Sequence, residues 1–346
     1  MNEIIFKVEN ITPVFIAGAD QRYIDNEGLR APTLKGLLRW WFRALMGGIV
    51  SEKALRRFEE EIFGSTDKKS PVRILSFCDN QPSMINIPGD LQYLWFSMKM
   101  QRKNKELYCY PPKTEFEIIL CSENEDFLKL VTGCLWLLIY LGGVGSRNRR
   151  GAGSLKVKKV KPSITYDFVF EKNNVIDAKS FMEKNLKKIF DDFKKCVNEK
   201  YDIPQRSPYF PILSKSSAKV TLGPQYNDWK EALGEIEKKY KNFRRKKLKG
   251  KKWKYRGLLG LPIKGLPIKH KRNYNWYKKK RQPSPFHIGV MDLNKGYTTR
   301  VVKFYTSIHP RINEKVFKNK GISELKRVLD DLNRSLLDGI EVEIPG

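Results

Sequence analysis

Histidine and clustered acid are what this sequence lacks. Three histidines, His270, His287 and His309, are spread through the second half of 346 residues. So thin a supply argues against a histidine-built metal site and against hydrolysis by a histidine acid–base pair. Each reads as structural: His270 stands between Lys269 and Lys271, and the other two adjoin proline-containing turns. The acidic runs Glu59-Glu60-Glu61 and Asp191-Asp192 read as helix surface. No Asp-x-Asp pair offers the clustered carboxylates of a metal-dependent nuclease. The five cysteines (Cys78, Cys109, Cys121, Cys134, Cys196) are odd in number, and no pair has metal-ligand spacing. Reduced thiols in a cytoplasmic protein are the expectation. The longest apolar stretch, Leu130 to Leu141, includes Thr132 and Gly133 and falls short of the roughly 20 residues of a membrane span. The start, Met1-Asn2-Glu3-Ile4-Ile5, has no basic-then-apolar signal pattern. A lipidation motif is missing too, so no membrane partner, metal or cofactor is expected.

Positive charge is abundant. There are 67 Lys+Arg against 38 Asp+Glu, a formal net charge of +29, which predicts a polyanionic partner or acidic protein neighbours. Hydrophobic residues make up 40 %, a globular share, and the length suits two domains. One segment is an outlier. From Lys238 to Arg281 there are twenty Lys/Arg and no acid. Aromatics such as Tyr240, Phe243, Trp253 and Trp276 are interleaved, and the glycines and prolines of this segment predict loops rather than one long helix.

Residues 3–9 alternate like a strand. Thr33 is placed to cap a helix running to about Met46, and a second helix spans about 51–61. Strand-like runs follow at Val72–Phe77, Tyr93–Met98 and Glu115–Leu120, then a helix over Phe127–Leu141 and a strand over Leu155–Val160. The order β-α-β-β-α-β, with an extra strand or hairpin, is that of a split βαβ, ferredoxin-like domain with helices on one face of an antiparallel sheet. It assigns residues 1–161 to this domain. Residues 162–346 read as a divergent second domain of the same α+β class, carrying the basic insertion 238–281. Its elements are a helix near 177–198, strands near 218–222, 286–292 and 297–306, a helix near 322–337 and a closing strand at 340–344.

Three features could carry function. The first is the helix of Leu34 to Leu45. At 100° per residue, Leu34, Leu37, Leu38, Trp41, Phe42 and Leu45 share an arc, while Lys35, Arg39 and Arg43 form a cationic stripe. Gly36 beside the stripe leaves room for a close backbone approach, and Arg30 precedes the helix start, a natural anion site. An ordinary solvated face has the same pattern. Trp40 falls on neither face and suits stacking on a base or a partner, or core packing. The second feature is the glycine-rich loop 142–154. Gly145 and its neighbouring glycines can aim N–H groups at an anion, and Arg147, Arg149 and Arg150 bring paired donors for phosphate. A helix C-cap explains Gly142 and Gly143 equally well but not three arginines in four positions. The Gly-x-x-x-x-Gly-Lys-Ser/Thr order of a nucleotide-binding loop is absent. The third feature is the basic segment, where Lys246, Lys247, Lys251, Lys252 and Trp253 suit phosphate neutralisation and base stacking. Docking on acidic neighbours is the alternative.

In this order the features resemble the RAMP superfamily of CRISPR-associated proteins, and within it the first Cmr subunit of type III-B RNA-targeting effector complexes. The resemblance rests on Ile11-Thr12-Pro13, on Leu29 to Arg43 with its Lys-Gly-x-x-Arg-Trp-Trp core, on Ile62-Phe63-Gly64-Ser65, and on the loop 142–154. It covers roughly residues 1–160; farther on only Pro283-Ser284-Pro285-Phe286-His287-Ile288 is similar. It implies tandem ferredoxin-like domains, assembly with other Cmr subunits, and contact with single-stranded RNA, holding the 3′ part of the guide and the target. It also implies binding without cleavage. Two rivals stand beside it: a metal-independent endoribonuclease that processes guide RNA, and a scaffold that binds only protein.

Overall fold

The computed structural model describes residues 2–16, 28–96, 98, 107–197, 210–248, 255–256, 258–259, 284–305, 320–336 and 339–346. In the first half, β1 (Asn2–Asn10) is followed by α1 (Ala31–Met46), α2 (Glu52–Phe63) and β2 (Val72–Phe77). A small pair, β3 (Ser83–Met84) and β4 (Tyr108–Cys109), precedes β5 (Glu115–Ser122), α3 (Glu125–Leu141) and β6 (Leu155–Lys161). The sheet order is β2-β5-β1-β6, every neighbour antiparallel. Ile4, Phe6 and Val8 of β1, with Phe116, Ile118 and Leu120 of β5, bury one face in the main core, as two-residue periodicity dictates.

The second half begins with α4 (Val175–Lys195). Then come β7 (Ala218–Tyr226), α5 (Trp229–Asn242), β8 (Phe286–Asp292), β9 (Tyr297–Phe304), α6 (Gly321–Leu336) and β10 (Ile340–Val342). Its sheet runs β10-β7-β9-β8, again antiparallel. Numbered from its own first strand, each sheet reads 4-1-3-2, so the two halves repeat one strand order.

The halves share a core. Helix α3 is capped by Asn124, which accepts from Phe127 N–H at 2.9 Å, and it is buried on all sides from Leu130 to Leu141. That marks an interior helix, and it touches strands of both sheets. Among the described residues no helix is long and apolar enough to cross a membrane. The second sheet departs from the expected one-sided cover. Its Met291, Val302 and Phe304 enter the core shared with α1 and α3, while Phe286, Ile288, Val290 and Val301 enter a second core with α5 and α6.

Other expectations need correcting. Tyr93–Met98 is not a strand. The N–H groups of Tyr93 and Leu94 both donate to one oxygen of Glu237, at 2.9 and 2.8 Å. Consecutive amides of a strand point opposite ways, so this anchor requires a turn. Helix α1 starts at Ala31 with Arg30 in the cap position and no side-chain cap, rather than at Thr33. The basic segment opens in helix α5, which continues into a π turn at Phe243–Lys247. Of the two acidic runs, Glu59 and Asp192 are buried rather than surface residues; Asp192 pairs with Lys129 at 2.6 Å and accepts from Tyr166.

Candidate nucleic-acid interface

Helix α1 turns its apolar arc inward as expected, with Leu34, Leu38, Trp41, Phe42 and Leu45 buried. Its stripe is partly neutralised. Arg39 Nε and Arg43 Nη1 lie 2.6 and 2.8 Å from the same carboxylate oxygen of Glu59 on α2. Lys35 has no described ion pair. Burial, and then Arg39, lower its pKa. With Arg39 it lines an open depression of about 630 Å³ against the turn Gly64–Ser70, whose Lys68 and Lys69 add charge. Gly36 faces open space. Arg30 is half-buried, and its carbonyl accepts from Leu34 N–H at 3.0 Å. A Glu59→Gln variant is expected to lose about 1–2 kcal/mol in urea denaturation, because both guanidiniums are left with a neutral partner but stay partly exposed.

The glycine-rich loop leaves the C-terminus of α3 at Gly142. Gly145 has φ +75°, and a Cβ there would stand 2.6 Å from the Phe15 carbonyl oxygen, the same atom that accepts from Ser146 N–H at 2.7 Å. This close crossing needs glycine. Arg147 follows with φ 65°, a conformation that is strained for a side-chain-bearing residue. Its carbonyl accepts from Arg150 N–H at 2.7 Å, closing the turn.

The three arginines then diverge. Arg149 Nη1 donates to the Ser284 carbonyl at 3.2 Å, and its guanidinium lies 5.3 Å over the Trp40 ring. Arg150 donates to Ser284 Oγ at 2.9 Å, Tyr240 Oη at 3.1 Å and the Leu259 carbonyl at 3.3 Å. Both therefore tie the loop to the second half, where Ile288 N–H also donates to the Arg149 carbonyl. Only the Arg147 side chain makes no described hydrogen bond; it sits 5.1 Å over the ring of Phe96. Burial, then Arg150, push the pKa of Arg147 and of Arg149 down to about 10.

Trp40 bridges the two motifs. Its ring lies 4.9 Å from that of His287 and 5.7 Å from that of Phe304, so it is packed in the seam between the halves. His287 is buried there, and burial, then Arg149, hold its pKa well below the usual imidazole range. Lys246 and Lys247 are exposed on the π turn. Lys251, Lys252, Trp253, His270 and His309 lie outside the described residues. No group of three or more metal-ligating side chains occurs among the described residues.

Sequence reasoning missed Arg300. It is fully buried on β9 and donates to the carbonyls of Ile139, at 2.6 Å, and Gly142. A cation thereby caps the negative end of α3 where the glycine-rich loop departs. Its partner across the ladder is Gly289, and a Cβ there would meet the guanidinium at 2.3 Å. The pairing of an arginine with a glycine two strands' length away leaves no local signal in the sequence.

Residues 7–156 match the family model of the RAMP superfamily. The CRISPR system Cmr subunit Cmr1-1 of Pyrococcus furiosus is 32 % identical over 321 residues, covering 90 % of each chain. Cmr subunit Cmr1-2 of the same organism is 37 % identical over 186 residues, 46 % of this chain and 98 % of that one. The crystal structure of apo Cmr1 from Pyrococcus furiosus superposes with a TM-score of 0.71 at 26 % identity, over 99 % of both chains. A chain of the type III-B Cmr-beta complex bound to cognate target RNA shares the fold, with a TM-score of 0.60 at 15 % identity over 94 % of this chain and 99 % of that one.

Proposed function

The chain belongs to the RAMP superfamily and, within it, to the Cmr1 family of CRISPR-system subunits, and from that premise we propose that it is a non-catalytic, RNA-binding subunit of a cytoplasmic type III-B effector complex. In this reading residues 1–161 and 162–346 are tandem ferredoxin-like domains, consistent with the repeated 4-1-3-2 strand order. The protein assembles with other Cmr subunits and holds the 3′ part of the guide, the target single strand, or both. One observation carries the proposal. Arg149 and Arg150 lie at the seam between the halves and Arg147 lies beside them over Phe96, and none of the three forms a described ion pair with a carboxylate. Unpaired guanidiniums grouped in this way suit phosphodiesters. A role as nuclease gains nothing from His287, which is enclosed by Trp40, Trp41 and Phe304.

The test is a titration of labelled single-stranded RNA across a salt series, with cleavage scored in the same tubes. If about six phosphates are neutralised, log affinity falls with log salt at a slope near −4, roughly 300-fold between 50 and 200 mM. The double variant Lys35→Gln/Arg147→Gln removes two cations that form no described ion pair, and its slope should be shallower by about 1.4. Absence of saturable binding at moderate salt means a protein-only scaffold. RNA cut by the purified protein means an enzyme.

A further inference from the structure

Beside the glycine-rich loop a second set of arginines gathers around two tyrosines. Segment 85–96 packs on α5: Trp95 stacks on Trp229 with centroids 6.3 Å apart, and its Nε1–H donates to the Arg150 carbonyl at 2.9 Å. This fixes Tyr93 next to Tyr240, ring centroids 6.2 Å apart. The guanidinium of Arg244, on the π turn, lies 6.0 Å over Tyr93 and 5.7 Å over Tyr240. Arg256 donates to the carbonyls of Arg244 and Leu248 at 2.9 and 3.0 Å. Arg150 reaches the same Tyr240 from the loop side.

Four guanidiniums, Arg147, Arg150, Arg244 and Arg256, thus stand around one aromatic pair. None forms an ion pair with a described carboxylate; the described ion pairs lie elsewhere, on Arg39, Arg43, Lys129, Lys156 and similar surface groups. Glu237 on α5 is spent on the amides of Tyr93 and Leu94. Two details point to a ligand. Arg147 forms no described side-chain hydrogen bond or ion pair, and its fork lies over a half-exposed ring, Phe96, which is 39 % accessible; Arg244 is itself held between Tyr93 and Tyr240. Crowded like charges without counterions are unfavourable, and an anion supplied from outside balances them.

We propose that this cluster is a phosphate site for single-stranded RNA: the fork of Arg147 and the guanidinium of Arg256 take phosphodiesters, Arg244 holds the tyrosine pair and adds positive charge beneath them, and Phe96 stacks the adjoining base. This rests on the RNA-binding reading above and extends its track from the loop to the helix α5 side of the second half. Cations that neutralise the backbone, next to an exposed ring, are the two elements of sequence-tolerant single-strand binding. A carboxylate-rich protein segment also complements guanidiniums but has no use for a ring placed to stack.

The experiment uses the full chain with a fluorescent twenty-nucleotide oligouridine at several salt concentrations. Phe96→Ala is expected to weaken binding about 10-fold with an unchanged salt slope, because stacking is not ionic. Arg256→Gln is expected to flatten the slope by about 0.7, one phosphate. A second readout uses the unaltered protein: 4-thiouridine in the oligonucleotide, irradiated and digested, should crosslink to the peptide holding Tyr93 and Phe96. If the wild type binds RNA but neither variant changes affinity and the crosslinks map elsewhere, the cluster is not an RNA site while the RNA-binding reading stands. If the wild type does not bind RNA, both fail. Suppression of both effects only by an acidic polypeptide, and not by RNA, overturns the choice of ligand.

Discussion

Replacing Lys303 by methionine is expected to stabilise the protein by up to about 3 kcal/mol at pH 7. Lys303 lies on β9 with no exposed surface, and its ammonium has no described hydrogen-bond partner. It faces the core beneath α6, opposite Phe286 on β8 and Lys219 on β7. Burial, followed by Lys219, pushes its pKa down to about 8, against the pull of Asp330 and Glu341. The unfolded chain titrates near the ordinary value of 10.5. Between pH 8 and 10.5 the unfolded state therefore holds a proton that the folded state has released, and stability rises with pH across that window. Below pH 8 both states are charged and the full burial penalty is present. Methionine keeps the length and removes the charge. Urea midpoints from pH 6 to 10.5 should show the variant higher at neutral pH, its lead over the wild type shrinking above pH 8, and the two curves converging at the top. A variant weaker than wild type at pH 7 would mean that the ammonium has a partner in the folded protein.

Lys303 also shows why parts of this molecule could not be seen in advance. Its neighbours in sequence, Val301, Val302 and Phe304, read as strand, and strand it is. Period-2 alternation assumes one dry face and one wet face, whereas both faces of this sheet are covered, so a lysine that looked exposed is interior. The same limit hid Glu59. Its place in a run of three glutamates suggests a solvated helix, yet α2 lies against α1 and turns that one carboxylate onto Arg39 and Arg43. Strands β1, β2, β5 and β6 and helix α3 were legible, because their apolar periods and their Asn and Gly boundaries are local. Helix α5 was obscured by the basic composition that continues past its end.

The loop motif was legible as chemistry but not as geometry. Three arginines after glycines announce an anion site, yet Arg149 and Arg150 are engaged by Ser284, Tyr240 and Leu259, residues more than a hundred positions away or close to it. Their hydrogen bonds hold the halves together, and Arg147 is left as the one of the three with no described side-chain hydrogen bond. Under the proposed function, structure and binding are therefore not alternatives in this loop. The same turn ties two of its arginines to the second half and sets one over the Phe96 ring, and charge-reversal of the whole triad would confuse the two settings.

Arg300→Met is expected to lower stability by about 3 kcal/mol, the balance between two charge-assisted hydrogen bonds at 1.5–3 kcal/mol each and the relief of a buried charge. Burial pushes the Arg300 pKa down to about 9, which leaves it charged at neutral pH, and the Ile139 and Gly142 carbonyls at the negative end of α3 receive that charge. Without the guanidinium those carbonyls face an apolar sheet. Gly289→Ala should be similarly damaging, since its methyl would occupy space 2.3 Å from Nη2 and 2.6 Å from Nε of a side chain that cannot retreat without releasing α3. The two effects are not independent. In the Arg300→Met background the methyl meets a flexible thioether instead, and the added loss from Gly289→Ala should shrink by about 1–2 kcal/mol. A double-mutant cycle in urea measures this directly. Equal losses from Gly289→Ala in both backgrounds would show that the glycine answers some other neighbour. Because Gly142 begins the loop, the folded Arg300→Met protein should also bind single-stranded RNA more weakly while keeping its salt slope, the signature of a displaced site rather than a missing cation.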